Sequence, residues 1–277
     1  MIKVGFQGKH GTFSDVAVDE YFVNREIEKV SFSNFLSIIK AVENDEIDYA
    51  LIPVENTTTG IISRTYDFFF DHDIYATGEH NVRIIENLIG VKGAKLEDLK
   101  EVYSHPEVLG QCQNFLNEHK NIKPIAYQDT AASVEYIKKM NDKSKGALAS
   151  LKSAEYYNME VLLEDVQTSK TNTTRFFCIT HKKETVVNAD KISTMFILKH
   201  EAGSLYNILK IFAEKNINLL KLESRPIPDK NFEYLFYLDF DGNIEDENVK
   251  EVFKKVEDYC ISYKILGCYR RYAQVKS

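Results

Sequence analysis

Apolar positions along this chain fall into two alternating rhythms. Lys3 to Gln7 is a short apolar run that reads as a strand, and Ser14 to Asn24 follows with Val16, Ala17, Tyr21 and Phe22 at helical spacing. A second strand is expected around Glu28 to Phe32. Ser31 and Ser33 precede the amphipathic stretch Phe35 to Glu43, so one of them is the expected N-cap of that helix. Tyr49 to Val54 is a strand ended by the polar turn Glu55 to Gly60, and Ile61 to Phe70 returns to a helical period. Ile74 to Val91 reads as extended. Val102 to Ser104 is then a strand, with a helix through Gln111 to His119, a strand Ile122 to Tyr127, a helix Ala131 to Met140 and a short strand Gly146 to Ala149. This repetition predicts an α/β fold whose sheets are mostly parallel, in two lobes with a cleft between them.

The rhythm changes near Thr185 to Lys191. Beyond it come a strand (Thr194 to Lys199), a helix (Ser204 to Lys215), strands Asn218 to Ser224 and Phe232 to Asp241, a helix (Asp246 to Tyr259) and a strand (Ser262 to Cys268). The order βαββαβ is the ferredoxin-like unit. Pro226, Pro228 and Asp229 are the expected turn between its middle strands.

Charge narrows the possible functions. The 277 residues carry a formal net charge of -7 and no basic stripe, which argues against a nucleic-acid partner. An anionic ligand would need a local site, because the field of the whole chain does not attract it. Cys112, Cys178, Cys260 and Cys268 show no Cys-x-x-Cys pairing and the seven histidines no His-x-x-x-His pair, so free thiols and no metal are expected. The N-terminus enters a strand directly, without a basic region followed by an apolar one, and no run is long enough to span a bilayer. The expected location is the cytoplasm, with no membrane partner.

The candidate chemistry lies where strands end. Thr171-Asn172-Thr173-Thr174-Arg175 places hydroxyls, an amide and a permanent cation just before the apolar run Phe176 to Thr180. Gly5 to Ser14 joins the first strand to the first helix with close-approach glycines and the hydroxyls of Thr12 and Ser14. Its spacing fits neither a dinucleotide fingerprint nor a P-loop. Pro53 to Gly60 repeats the arrangement with Asn56 and Thr57. Ser104 to Cys112 repeats it again, with Ser104 as N-cap or donor, Pro106 in the first turn and Gln111 two turns on. Neutral donors at three strand ends, together with Arg175, describe a pocket for a small polyanion and a reaction without a cofactor.

Five motifs occur in the order typical of one family. They are Gly8-Lys9-His10-Gly11-Thr12-Phe13-Ser14, Pro53-Val54-Glu55-Asn56, Ser104-His105-Pro106, Asp129-Thr130-Ala131-Ala132 and Thr174-Arg175-Phe176. On these motifs the chain resembles prephenate dehydratase. The C-terminal unit resembles an ACT regulatory domain, with Glu223-Ser224-Arg225-Pro226 matching its phenylalanine-sensing form. The resemblance implies a catalytic domain over residues 1–184, two-lobed like type II periplasmic binding proteins, and an ACT domain over 192–272. It implies conversion of prephenate to phenylpyruvate with Thr174 catalytic. Asn56, Ser104, Gln111 and Arg175 serve the substrate, and Thr12, Ser14, Thr57, Asn172 and Phe176 complete the candidate site. It also implies L-phenylalanine as effector, bound near Gly203 to Tyr206 and Glu223 to Pro226 in a homo-oligomer, dimer or tetramer. Three positions depart from the family pattern. Ser204 and Tyr206 stand in a loop that commonly reads Gly-Ala-Leu-Val, and Thr57 stands where serine is common. Competing expectations are an arogenate dehydratase and a non-catalytic amino-acid-sensing protein. The intact Thr174-Arg175-Phe176 motif favours the enzyme.

Overall fold

A computed structural model describes residues 1–184, 186–227 and 233–272. The chain divides into two compact units. One comprises Met1–Phe68 and His80–Phe176, the other Phe69–Glu79 and Phe177–Ser277. In chain order the first half contains β1 (Ile2–Gln7), α1 (Phe13–Tyr21), β2 (Ile27–Phe32), α2 (Phe35–Glu43), β3 (Tyr49–Asn56), β4 (Gly60–Ile61), α3 (Ser63–Asp71) and β5 (Tyr75–Arg83). It continues with β6 (Asn87–Gly90), β7 (Glu101–Ser104), α4 (Pro106–Gln111), α5 (Gln113–Glu118), β8 (Lys123–Ala126), α6 (Thr130–Met140), β9 (Lys145–Ala149), α7 (Leu151–Tyr157), β10 (Glu160–Leu163) and β11 (Thr173–Thr180).

Two sheets organise this part. The first has the order β2-β1-β3-β11-β5, with β4 paired to β3, and β1 lies parallel to both β2 and β3. The second has the order β10-β6-β9-β7-β8. It is mixed rather than mostly parallel: β7 is parallel to β8 and β9, while β6 is antiparallel to β9 and β10. Both of its faces are buried, and neighbouring residues alternate between them. Leu88, Val102 and Leu148 pack with Phe115 and Leu116 on one face, while Ile89, Tyr103 and Ala147 pack with Val134 and Ile137 on the other. A strand buried on both faces loses its polar alternation, so its direction cannot be read from the sequence pattern.

Several boundaries differ from expectation for local reasons. The N-cap of α2 is Asn34, whose Oδ1 accepts from Ser37 N at 2.9 Å, not Ser31 or Ser33. The N-cap of α4 is His105, whose Nδ1 accepts from Glu107 N at 3.3 Å, not Ser104. The helix expected through His119 begins at Pro106 and breaks at Cys112 into α4 and α5. β10 and α7 were not anticipated.

The second unit carries β12 (Lys191–Leu198), α8 (Ser204–Glu214), β13 (Leu219–Pro226), β14 (Tyr234–Asp241), α9 (Glu247–Val256) and β15 (Cys260–Tyr269). Its antiparallel sheet has the order β13-β14-β12-β15. One core, including Phe196, Phe212, Phe240 and Phe253, fills the space between that sheet and its helices. This is the ferredoxin-like arrangement that the pattern predicts. Pro226 is the last residue of β13, while Pro228, Asp229 and Phe232 lie outside the described residues. Segment 69–79 packs within this unit through the buried pair Lys191 Nζ–Glu79 Oε2 at 2.8 Å.

Candidate active site

β3 and β11 bring the central residues together. Thr57 N donates to Thr173 O at 2.9 Å, Asn56 Nδ2 donates to Thr174 Oγ1 at 2.9 Å, and Arg175 Nη1 lies 3.5 Å from Glu55 Oε2. The three pairs step in opposite directions along the two strands. Side chains alternate along a strand, so Asn56 and Thr174 share one face while Glu55 and Arg175 share the other. Arg175 and Thr174 were expected to meet one substrate together. The structure instead turns the guanidinium toward Glu55, away from the Thr174 hydroxyl. Arg175→Gln and Glu55→Gln are therefore expected to destabilise the fold non-additively, with a coupling of about 0.5–3 kcal/mol in urea-unfolding double-mutant cycles. Strict additivity would show that the two side chains do not act as a pair.

Asn56 is buried and its amide has one orientation. Oδ1 accepts from Thr58 N at 2.8 Å and Thr59 N at 3.0 Å, so Nδ2 must point the other way. There it donates to Asn172 Oδ1 at 2.7 Å as well as to Thr174. Asn172, also buried, must then present its own Nδ2, which donates to Gln111 Oε1 at 3.2 Å. The relay thus fixes every amide in turn and leaves the Gln111 Nε2 donors outward. It also fixes Thr174, which is 8% exposed. Its oxygen already accepts from Asn56, and among the described residues the hydroxyl makes no other hydrogen bond. Its proton is free to donate. A cavity of about 250 Å³ is lined by Thr58, Gln111, Gln167, Thr168 and Asn172, beside this relay. A larger one of about 580 Å³, walled by Phe13, Arg83, Ser150 and Lys152, contains none of the relay residues.

The remaining expected residues separate into two groups. Thr57 Oγ1 accepts from Thr173 N at 3.0 Å and donates to Thr171 O at 3.2 Å, which makes it a clamp between strands. Ser104 is fully buried and its hydroxyl donates to Leu148 O at 2.8 Å, so that proton stays inside the second sheet. Phe176 is core. Thr12 donates to Lys9 O at 2.9 Å and does not cap α1, leaving the start of that helix without a side-chain cap beside the half-buried Ser14.

Sequence reasoning missed the joint between the two sheets of this unit. Gly11 O accepts from Ser153 Oγ at 2.8 Å and from Ser150 Oγ, the N-cap of α7. Gly11 has φ +95, and a Cβ there would stand 2.7 Å from Ser153 Cα. Backbone conformation and space both demand glycine. Gly11→Ala is expected to destabilise the unit by about 1–3 kcal/mol and to lower activity, read by thermal unfolding and turnover. A native-like melting temperature would contradict this.

In the second unit, Gly203 is the N-cap of α8 at φ 87, Ser204 is the first helical residue and Tyr206 is exposed. A cavity of about 150 Å³ is lined by Ser204, Leu205, Tyr234 and Phe236 among others. Tyr234 and Phe236 pair with Pro226 and Ser224 across β13–β14. Strand β14 thus links the two expected effector segments. Glu223 and Arg225 are half-buried on one face of β13, with Ser224 and Pro226 exposed on the other.

The family model for prephenate dehydratase matches residues 4–184, and that for the ACT domain matches residues 192–258. The chain belongs to the prephenate dehydratase family. It is 35% identical over 267 residues to the prephenate dehydratase of Methanocaldococcus jannaschii, covering 94% of each chain. It is 34% identical over 285 residues to arogenate dehydratase 2 of Petunia hybrida, covering 97% of this chain and 71% of that one. Among solved structures it is similar to the prephenate dehydratase of Arthrobacter aurescens in complex with L-Phe, with TM-score 0.89, 26% identity and coverage of 98% and 90%. Within this family, the relay that ends at Thr174 is the candidate active site.

Proposed function

We propose that this chain converts prephenate to phenylpyruvate and that the Thr174 hydroxyl assists departure of the ring hydroxyl group. The relay supports this reading: Asn56 donates to Thr174 Oγ1 at 2.9 Å and so leaves the threonine proton for the substrate. In the reaction the bond between the ring and its carboxylate breaks, and carbon dioxide leaves. The released electron pair enters the ring, which becomes aromatic as the opposite C–O bond breaks. One proton is consumed and water departs, so the dianion yields the phenylpyruvate monoanion. The barrier lies in expelling hydroxide. A positioned donor is strongest where charge develops, and the Asn56 N–H stabilises the negative charge that the threonine oxygen acquires as it donates. The outward Gln111 amide supplies neutral donors for a substrate carboxylate.

L-phenylalanine is the proposed effector, taken between the start of α8 and the strand pair β13–β14. A relative of this fold is described with L-Phe bound. The working form is a homo-oligomer: β13 is an edge strand with Leu220 and Leu222 exposed, and pairing with a second copy covers it. The cytoplasm suits its four free thiols. The test is product formation by purified protein offered prephenate or arogenate, with L-phenylalanine titrated by activity and calorimetry. Phenylpyruvate from prephenate, suppressed by L-phenylalanine, is expected. Turnover of arogenate alone would reassign the substrate. Absence of L-phenylalanine binding would remove the effector assignment.

A further inference from the structure

Glu86 is a fully buried carboxyl group with no hydrogen-bond partner at either oxygen among the described residues. Its neighbours Ile85 and Asn87 line the large cavity, and Glu86 turns to the other side. There the Cys112 thiol feels its charge, next in sequence to Gln111. Its backbone is tied to the segment that carries the relay. Glu86 N donates to Gln167 Oε1 at 2.9 Å, Glu86 O accepts from Val166 N at 2.8 Å, and Ile84 N donates to Asn172 O at 2.9 Å. One residue beyond Gln167, Thr168 N donates to Gln111 O at 2.8 Å.

We propose that Glu86 is a positioning residue for the reaction: its carboxyl stays protonated while the enzyme works, and its ionisation displaces the Gln111–Asn172 arm of the site. An ionised carboxylate buried without a partner is costly, and relief requires that water enter or the group move out. The backbone that would move is the backbone holding Asn172 and Gln167. Burial alone pushes the Glu86 carboxyl up to about 8. The charged groups on the packed segments are otherwise engaged. Asp165 Oδ2 pairs with Lys170 at 3.0 Å, and Arg83 donates to Lys170 O at 3.0 Å. Burial pushes the Cys112 thiol up too, so it stays neutral through this range.

The folded-state value lies above the ordinary value of 4.5, so the unfolded chain loses this proton first. Stability from this group is therefore full below about 4.5 and declines as pH rises to about 8, beyond which it is level. Glu86→Gln keeps a neutral polar group and removes that slope.

The inference rests on Gln111 and Asn172 serving the substrate, so the experiment separates the two claims. The rate is followed from neutral to alkaline pH in wild type and in Glu86→Gln, with Glu86→Met as the alternative should the first fail to fold. Infrared difference spectra report the protonated carboxyl. The expected result is a wild-type kcat that falls with one ionisation near 8, matching loss of the carboxyl band. Both features are absent in Glu86→Gln. A flat wild-type rate, a band that is missing at neutral pH, or an unchanged alkaline fall in Glu86→Gln would overturn the proposal. A native rate in Gln111→Ala would overturn the reading of the site beneath it, whatever the carboxyl band does.

Discussion

Thr174→Val is expected to lower kcat by about 10²–10⁴-fold while KM for prephenate moves only a few-fold. The substitution is close to isosteric and removes one hydroxyl. In the ground state that hydroxyl has a neutral partner to gain; in the transition state it meets an oxygen becoming hydroxide, so the loss falls mainly on kcat. The variant also strands one Asn56 N–H, but Asn56 Nδ2 keeps Asn172 Oδ1 as an acceptor at 2.7 Å, so the fold should survive. Thr174→Ser keeps the donor and should retain measurable turnover. Steady-state kinetics of the two variants provide the check. A valine variant with near-native kcat would remove Thr174 from the chemistry.

Asn56→Asp should be almost as damaging, through the direction of one hydrogen bond. The aspartate oxygen that replaces Oδ1 still accepts from Thr58 N and Thr59 N, at 2.8 and 3.0 Å in the native chain. The other replaces a donor with an acceptor. It then faces Asn172 Oδ1 and the Thr174 oxygen, where the native amide donates to both. The Thr174 hydroxyl turns to donate inward, and its proton is lost to the substrate. The expected cost is about 10²–10³-fold in kcat, with about 1–3 kcal/mol of stability lost to the unmet acceptor on Asn172. Kinetics and urea unfolding measure the two separately. A fall in stability without a fall in kcat would make Asn56 a purely structural residue.

How much of this could be read from the sequence depended on period. The βαββαβ unit was legible because α8 and α9 are amphipathic and β12 and β14 are apolar runs; β1 and β3 were legible as such runs too, and α6 by its helical spacing. In the second sheet β7, β8 and β9 were legible as strands, but the antiparallel direction of β6 was not, because Leu88 and Ile89 are buried on opposite faces and leave no alternation to read. Capping competition misled the assignments near Asn34 and His105, where two polar neighbours suit the same role and only the backbone conformation chooses. In the site, the candidate residues Asn56, Asn172, Thr174 and Gln111 do converge. Arg175 next to Thr174 suggested a joint role, yet adjacency along a strand is what puts two side chains on opposite faces. Ser150 and Ser153 gave no signal, because each matters only through its contact with Gly11, far away in sequence. Glu86 gave none either: a single acid between Ile85 and Asn87 carries no period, and its isolation exists only in the folded chain.

The central claim is that Asn56 and Thr174 act as one device that presents a proton to the leaving oxygen. The double variant Thr174→Val with Asn56→Asp tests it most directly when its kcat is compared with those of the single variants. If the amide works only through the hydroxyl, the double variant should be no slower than Thr174→Val alone. Losses that multiply would show two independent contributions and contradict the relay.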